Sequence, residues 1–174
     1  KISESDEWHL IDLGQDDAEN VAVSNLKTEQ AFTIRGRNLA VRAEIQSYAR
    51  STTNQTVQLV IDGRQAAEEE VRLDPEGSAT VAFYHRFETP GDHTLEVVTP
   101  GDRLEIDNQR WLAISVKPSL RVLCIDGQPG GDLGAASDFL VYALSPDASQ
   151  SPTAAISPEV VGESALLELD LHQY

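Results

Sequence analysis

The side chains best suited to metal chemistry lie in one short acidic stretch, Asp102–Asn108. Asp102, Asp107 and Asn108 offer carboxylate and amide oxygens there, and oxygens of these kinds are the ligands that Ca²⁺ prefers. Their spacing does not follow the D-x-[DN]-x-[DN]-G calcium-loop pattern, although loops between strands can hold the ion with irregular spacing. Two interpretations stay open, a calcium site or a solvated acidic loop that keeps the protein soluble. We predict no resident metal, with Asp102, Asp107 and Asn108 as the positions at which calcium would bind.

Three other features could support chemistry. A glycine-rich stretch at residues 127–134 separates an apolar segment from a helical pattern, where phosphates often bind. Its spacing matches neither common phosphate-binding motif, and no Lys or Arg follows it. Cys124 lies inside an apolar run, which indicates a small buried residue rather than a nucleophile. His85 and His93 could lie on neighbouring strands, but no third metal ligand shares an obvious face with them. The sequence therefore predicts no catalytic residue, no cofactor and a protein that is not an enzyme.

The net charge argues against two classes of partner. The 174 residues hold 13 Lys and Arg against 29 Asp and Glu, a formal net charge of −16. Such a chain has few cations with which to release counterions from nucleic acid or to bind anionic lipid. No apolar run approaches the roughly 20 residues that cross a bilayer. We expect no nucleic acid partner and no direct membrane contact by this segment. Because the chain begins at Lys1 and has no Met, we interpret it as a piece of a longer protein.

Alternating apolar and polar residues dominate the chain up to Lys117. The pattern is clearest at Leu39–Ile45 and at Val57–Ile61, where Asp62-Gly63 then supplies a tight hairpin turn. Further strands are predicted at His9–Leu13, Val21–Lys27, Ala66–Leu73, Ala79–Phe87, His93–Val98 and Trp111–Val116. The predicted core consists of Val23, Leu39, Val41, Ile45, Val57, Leu59, Ile61, Val81, Phe83, Leu95, Val97, Leu112 and Ile114. Short strands without a helix among them predict a mostly β fold: an immunoglobulin-like antiparallel β-sandwich over residues 19–117, after a lead-in segment at residues 1–18.

The pattern changes after Pro118. Leu120–Ile125 is an almost continuous apolar run, as expected of a strand covered on both faces. A helix is predicted at Leu133–Leu144, a second strand near Ala155–Val161 and a short helix at Glu163–His172. Residues 118–174 therefore form an incomplete α/β (βαβα) segment, too short to close a sheet of its own. We expect its apolar surfaces to pack on the sandwich or to pair with a second copy, giving a homodimer through residues 118–174.

Six stretches carry a resemblance to a known group of proteins. They are Val57–Gly63 (VQLVIDG), Ala79–Phe83 (ATVAF), Pro90–His93 (PGDH), Asp107-Asn108, Leu120–Gly127 (LRVLCIDG) and Ala135–Leu144 (AASDFLVYAL). The first four resemble an adhesion-related, CARDB-like immunoglobulin-like domain of bacterial surface proteins. The last two resemble large membrane-anchored bacterial proteins in which a von Willebrand factor A domain precedes such a repeat and a glutamine-amidotransferase-like domain follows it.

This resemblance implies the soluble extracytoplasmic part of a membrane-anchored protein of the bacterial cell envelope. The chain would serve as a non-catalytic spacer or as a protein-interaction module with an unidentified protein partner. Two alternatives stay open: part of an amidotransferase-like enzyme completed beyond Tyr174, and a calcium-dependent adhesion module. Amidotransferase chemistry needs a Cys on a later nucleophile elbow and a downstream His, and Cys124 does not occupy that position, so no catalytic role is transferred.

Overall fold

The structure is a computed structural model, and it describes residue 11 and residues 19–102, 104–127, 136–146 and 154–174. The predicted strand at His9–Leu13 lies outside the described residues apart from Ile11. Most of the glycine-rich stretch 127–134 also lies outside them. No helix within these ranges is long and apolar enough to cross a membrane.

Eight strands make up the first part of the described chain. Apolar and polar residues alternate along the predicted ones. They are β1 (Val21–Thr28), β2 (Phe32–Ile34), β3 (Asn38–Ser47), β4 (Thr53–Ile61), β5 (Arg64–Leu73), β6 (Ser78–Arg86), β7 (Gly91–Val98) and β8 (Gln109–Lys117). Strand β3 shows the pattern most regularly, since every second residue from Leu39 to Ser47 is buried. All seven strands predicted between residues 21 and 116 are confirmed, whereas the short β2 was not predicted.

These strands form two sheets. One has the order β1-β3-β6, and the other has the order β2-β8-β7-β4-β5. All pairs are antiparallel except the short pairing of β2 with β8. Asp62 and Gly63 connect β4 to β5 with φ angles of 50° and 77°, as a type I′ hairpin turn requires. The predicted mostly β, sandwich-like fold is therefore confirmed.

The apolar faces of the two sheets meet in one core. Its members are Val21, Val23, Leu39, Val41, Ala43, Ile45, Val57, Leu59, Ile61, Leu73, Val81, Phe83, Phe87, Leu95, Val97, Ile114 and Val116. Every predicted core residue is buried there except Leu112, which is partly buried at the edge of the cluster. The register supports this burial, because a shift of one residue would turn each inward side chain to solvent.

The last part of the chain forms a small α/β unit. Strand β9 (Leu120–Asp126), helix α1 (Ala136–Leu144) and strand β10 (Ile156–Gly162) follow in order, and β9 and β10 pair in parallel. The predicted strand–helix–strand order is confirmed. The predicted helix at Glu163–His172 is wrong: two 3₁₀ turns, at Glu163–Leu167 and Leu171–Gln173, stand in its place.

Two further expectations for this unit need correction. Strand β9 is not covered on both faces, because Cys124 is its one buried residue and Ile125 is half exposed. A single helix can cover only one face of a two-stranded parallel sheet. Among the described residues, β9, α1 and β10 pack mainly against one another and make no extensive contact with β1–β8. The expected packing on the sandwich is therefore wrong, and pairing with a second copy stays a prediction.

The strand directions give the sandwich two distinct ends. At the entry end, where the chain enters β1, lie residues 19–20, 48–52, 74–77, 99–102 and 104–108. Backbone hydrogen bonds join these segments, among them Tyr48 N–H to Asn20 O and Thr99 N–H to Asn108 O, both 2.8 Å. At the exit end, β8 finishes and the chain continues into β9. The three calcium candidates thus all lie at the entry end.

Candidate functional site

Asp102 links the β7–β8 loop to the start of β1. Its Oδ2 accepts a hydrogen bond of 2.8 Å from the backbone N–H of Val21. Its Oδ1 accepts one of 2.9 Å from the N–H of Leu104 and one of 2.8 Å from Nδ2 of Asn108. The preceding Gly101 has φ +123°, a backbone conformation that side chains other than that of glycine rarely adopt. Asp102 therefore fastens the first residue of the sandwich to the loop.

Asp107 and Asn20 form a second pair in the same place. Asn20 Nδ2 donates to Asp107 Oδ2 at 3.0 Å, although the two residues lie 87 positions apart. The backbone also joins the two segments, since Asp107 O accepts from Val23 N–H at 2.8 Å. The structure thus brings Asp102, Asp107 and Asn108 together, as the sequence suggested, and adds Asn20. Nothing in the sequence near Asn20 signals this role, because it arises from the pairing of distant segments.

Three oxygens of this cluster are buried and unpaired. Within the described residues, Oδ1 of Asn20, Oδ1 of Asp107 and Oδ1 of Asn108 have no hydrogen-bond partner. Asn108 is only 7% exposed. A buried acceptor without a partner costs about 1–3 kcal/mol, and native proteins contain few of them. The cluster is therefore rich in acceptors and poor in donors.

The cluster differs in composition from the common transition-metal sites. No group of three or more His, Cys, Asp or Glu side chains that could hold a metal occurs in the described ranges. The entry-end cluster has two carboxylates and two amides, so its ligand atoms would all be oxygens. Hard cations such as Ca²⁺ prefer oxygen, whereas Zn²⁺ prefers nitrogen and sulfur.

A polar pocket of about 230 Å³ lies beside the cluster and shares Asp102 with it. One wall is held by Gln55, whose Nε2 donates to Pro100 O at 2.7 Å. The pocket is lined by Glu19, Val21, Ala49, Ser51, Thr52, Thr53, Gln55, Gly101 and Asp102. Two carboxylates, three hydroxyls and an amide give it donors and acceptors for a polar ligand.

A second group of ionisable residues lies at the exit end. His93 Nδ1 lies 2.6 Å from Asp62 Oδ2, and His93 Nε2 lies 3.1 Å from Thr89 O. Both partners are acceptors, an arrangement that favours the protonated imidazole, in which both ring nitrogens donate. The hydrogen bond with Asp62 raises the pKa of His93 and lowers the pKa of Asp62. In that form neither ring nitrogen of His93 has a lone pair left for a metal.

The second histidine of the predicted pair lies nearby. The Phe87 ring lies between the two imidazoles, with its centroid 4.6 Å from that of His85 and 4.7 Å from that of His93. Burial is the main cause that lowers the pKa of His85, and the charge of His93 adds to it. The two histidines therefore share a cluster in which the pKa of one ring is raised and that of the other is lowered.

Cys124 lies on β9 as a free, buried thiol, 4% exposed. Burial of this kind agrees with its interpretation as a small packing residue.

Comparisons with known proteins identify the fold of the sandwich. The CARDB domain of a Pyrococcus furiosus protein, crystallised in complex with di-metal ions, is 13% identical and gives a TM-score of 0.54. The match covers 60% of this chain and 98% of that domain. The solution structure of the same domain is 11% identical with a TM-score of 0.50, and the match covers 58% of this chain and 97% of that domain.

A β-glucosidase from Erythrobacter marinus is 16% identical with a TM-score of 0.47, over 56% of this chain but only 15% of the enzyme. A likeness of that size supports no argument about activity. No model of a protein family matches the sequence, and no curated protein matches it. The sandwich of this chain thus has a CARDB-like, immunoglobulin-like fold.

Proposed function

We propose that this chain is a non-catalytic interaction module in the extracytoplasmic part of a membrane-anchored bacterial cell-envelope protein. The CARDB-like fold supports an adhesion-type role, because the match spans almost the whole of the Pyrococcus domain. The proposal extends to the neighbouring domains that the resemblance implies, a von Willebrand factor A domain before the chain and an amidotransferase-like domain after it. Sequencing the complete reading frame tests that part.

The polar pocket is the observation that carries the interaction role. It opens beside Asp102 at the entry end and holds polar groups of both hydrogen-bonding kinds. The edge strand β5 is a poorer contact surface, because the exposed Glu68, Glu69 and Glu70 lie along it. Charged residues on an edge strand oppose the addition of another strand. Loop contact at the entry end is therefore the mode of binding that we propose.

The exposed side chains of α1 provide a second contact. Phe139 and Tyr142 are 70% and 71% exposed, although aromatic side chains bury large apolar areas when they find a partner. We assign this surface to a second copy of the chain, which gives a homodimer through residues 118–174.

One cross-linking experiment tests both contacts. A photoreactive amino acid replaces Ser51 at the pocket, Phe139 on α1, or Glu88 at the exit end as a matched exposed control. The full-length protein is irradiated in the bacterium that produces it, after fractionation has shown where it resides. We expect one discrete protein adduct from position 51, a self-adduct from position 139 and neither from position 88. Absence of an adduct from position 51 would leave a spacer only, and a cytoplasmic location would refute the envelope role.

A further inference from the structure

The outer face of the five-stranded sheet, which points away from the core, carries an exposed tryptophan. Trp111 on β8 is 57% exposed. Its cross-strand partner is Glu96 on β7, and the same row continues with Val60 on β4 and Gln65 on β5. Side chains directly opposite each other on one face have Cβ atoms about 4.5–5.5 Å apart. The indole of Trp111 and the carboxylate of Glu96 are therefore neighbours on this face.

A second carboxylate on this face is held in place by two amides. Glu68 Oε2 accepts hydrogen bonds from Gln58 Nε2 at 2.8 Å and from Gln65 Nε2 at 3.0 Å. Gln58 is the cross-strand partner of Glu68. Glu68 Oε1 has no donor among the described residues. The carboxylate of Glu68 is thus fixed on the sheet with one oxygen still able to accept.

The negative charge of this face has no cation of its own in the described part of the chain. No ion pair there involves Glu68, Glu70 or Glu96. Arg72, the next outward residue along β5 after Glu70, makes none with them. Carboxylates of this kind attract cations from outside the chain, and the net charge of −16 adds to that attraction.

The combination of indole and carboxylates selects one kind of side chain, although neither feature alone indicates a ligand. A cation is attracted by the face of an aromatic ring, most strongly by that of tryptophan. Arginine combines such stacking with a planar fork that pairs with a carboxylate. We propose that this face binds an arginine-containing segment of a partner protein, with one guanidinium between Trp111 and Glu96. The face does not include the entry-end pocket, so the inference goes beyond the proposed function and holds whether or not that pocket binds a partner.

The sheet geometry sets the spacing of two such guanidinium groups. Glu96 and Glu68 lie two strands apart and two residues apart along the strands, which places them about 12 Å from each other at ordinary strand dimensions. In a polyproline II segment, residues i and i+3 lie on the same side and about 9 Å apart. The long arginine side chains cover the difference. A partner segment of the form Arg-x-x-Arg therefore matches the face, with its second arginine at Glu68 Oε1.

The experiment follows the emission of Trp111 while a peptide is added. The chain has one other tryptophan, Trp8, so Trp8→Phe leaves Trp111 as the single indole. The probe is the peptide Gly-Arg-Pro-Pro-Arg-Gly with both ends blocked, and the control peptide has Gln in place of both Arg. We expect the arginine peptide alone to change the emission, with saturation. Raising NaCl from about 0.1 M to about 1 M should weaken its affinity at least threefold, because the screening length falls from about 10 Å to about 3 Å.

Matched variants on the two outer faces locate the contact. The anisotropy of a fluorescein-labelled form of the probe gives its Kd. Trp111→Thr and Glu96→Gln should each weaken binding about two- to fivefold, as expected of contacts at exposed sites. Tyr84→Thr and Glu44→Gln change equally exposed side chains on the outer face of the other sheet and should leave Kd unchanged. Circular dichroism checks the fold, and if Trp111→Thr does not fold, Trp111→Phe replaces it with about a twofold loss.

Four results would each overturn the proposal. They are an unchanged emission of Trp111, equal affinity for the two peptides, equal losses in the variants of the two faces, and saturable binding of a neutral oligosaccharide in place of the arginine peptide. Cellohexaose is the probe for the last of these, because a sugar ring can cover an indole without any cation.

Discussion

Replacing Asp102 with alanine should destabilise the sandwich even when no metal is present. The substitution removes the acceptor of two donors that belong to buried residues, Val21 N–H and Asn108 Nδ2. Each unsatisfied buried donor costs about 1–3 kcal/mol. The N–H of Leu104 contributes less, because that residue is half exposed and water can replace the carboxylate. We expect a loss of about 2–4 kcal/mol, a large fraction of the 5–15 kcal/mol typical of a domain.

The isosteric Asp102→Asn should not restore this stability. An amide offers one oxygen and one NH₂ group, whereas Asp102 accepts from donors on both of its oxygens. In either orientation an NH₂ group faces a donor, so we expect at least about 1 kcal/mol of loss.

Urea unfolding followed by far-ultraviolet circular dichroism, in EDTA, measures both variants, and Glu105→Ala serves as the control. The control should stay within about 0.5 kcal/mol of the wild type. A loss below that value for Asp102→Ala, or full stability of Asp102→Asn, would refute the assigned role of the carboxylate.

Two further predictions concern the exit end. His93→Gln should lower stability more at pH 5.5 than at pH 8.5, measured by urea unfolding, because the raised pKa of His93 makes its contribution complete below its unfolded pKa of about 6.5 and lost as pH rises through the higher folded value. Equal losses at the two pH values would contradict the charged pair with Asp62. Gly63→Ala should cost about 1–2 kcal/mol, because an added Cβ meets no atom within 4 Å but the residue has φ +77°. Gly63→Asn should cost less, since asparagine tolerates this conformation, and equal losses in the two variants would count against a purely conformational effect.

The alternating residues of the sandwich made its strands predictable. Leu39–Ile45 and Val57–Ile61 show a period of two because one face of each is buried. Strand β2 escaped prediction because its three residues are too few to show a period. Its parallel partner β8 is also distant in sequence. Pairing between distant segments is not encoded in either segment alone.

The candidate site was predictable only in part. Asp102, Asp107 and Asn108 stand out because they are close in sequence and carry oxygen ligands. Asn20 joins them through the register that places the start of β1 beside the β7–β8 loop. The unpaired state of the Asn108 oxygen depends on burial and on the direction of neighbouring donors. Composition and residue spacing carry no information on burial or on the direction of neighbouring donors.

The first and last residues of the sandwich lie at its opposite ends, and this placement determines how the sandwich transmits tension. A pull between Asn20 and Lys117 runs along the strands, because β1 begins at the entry end and β8 finishes at the exit end. The hydrogen bonds between antiparallel strands lie perpendicular to that direction, so the whole β1–β3 ladder from Val21 to Thr28 is loaded at once. The hydrogen bond from Val21 N–H to Asp102 lies at the start of β1, where this force would be applied. A domain built in this way resists extension from its first residue onward.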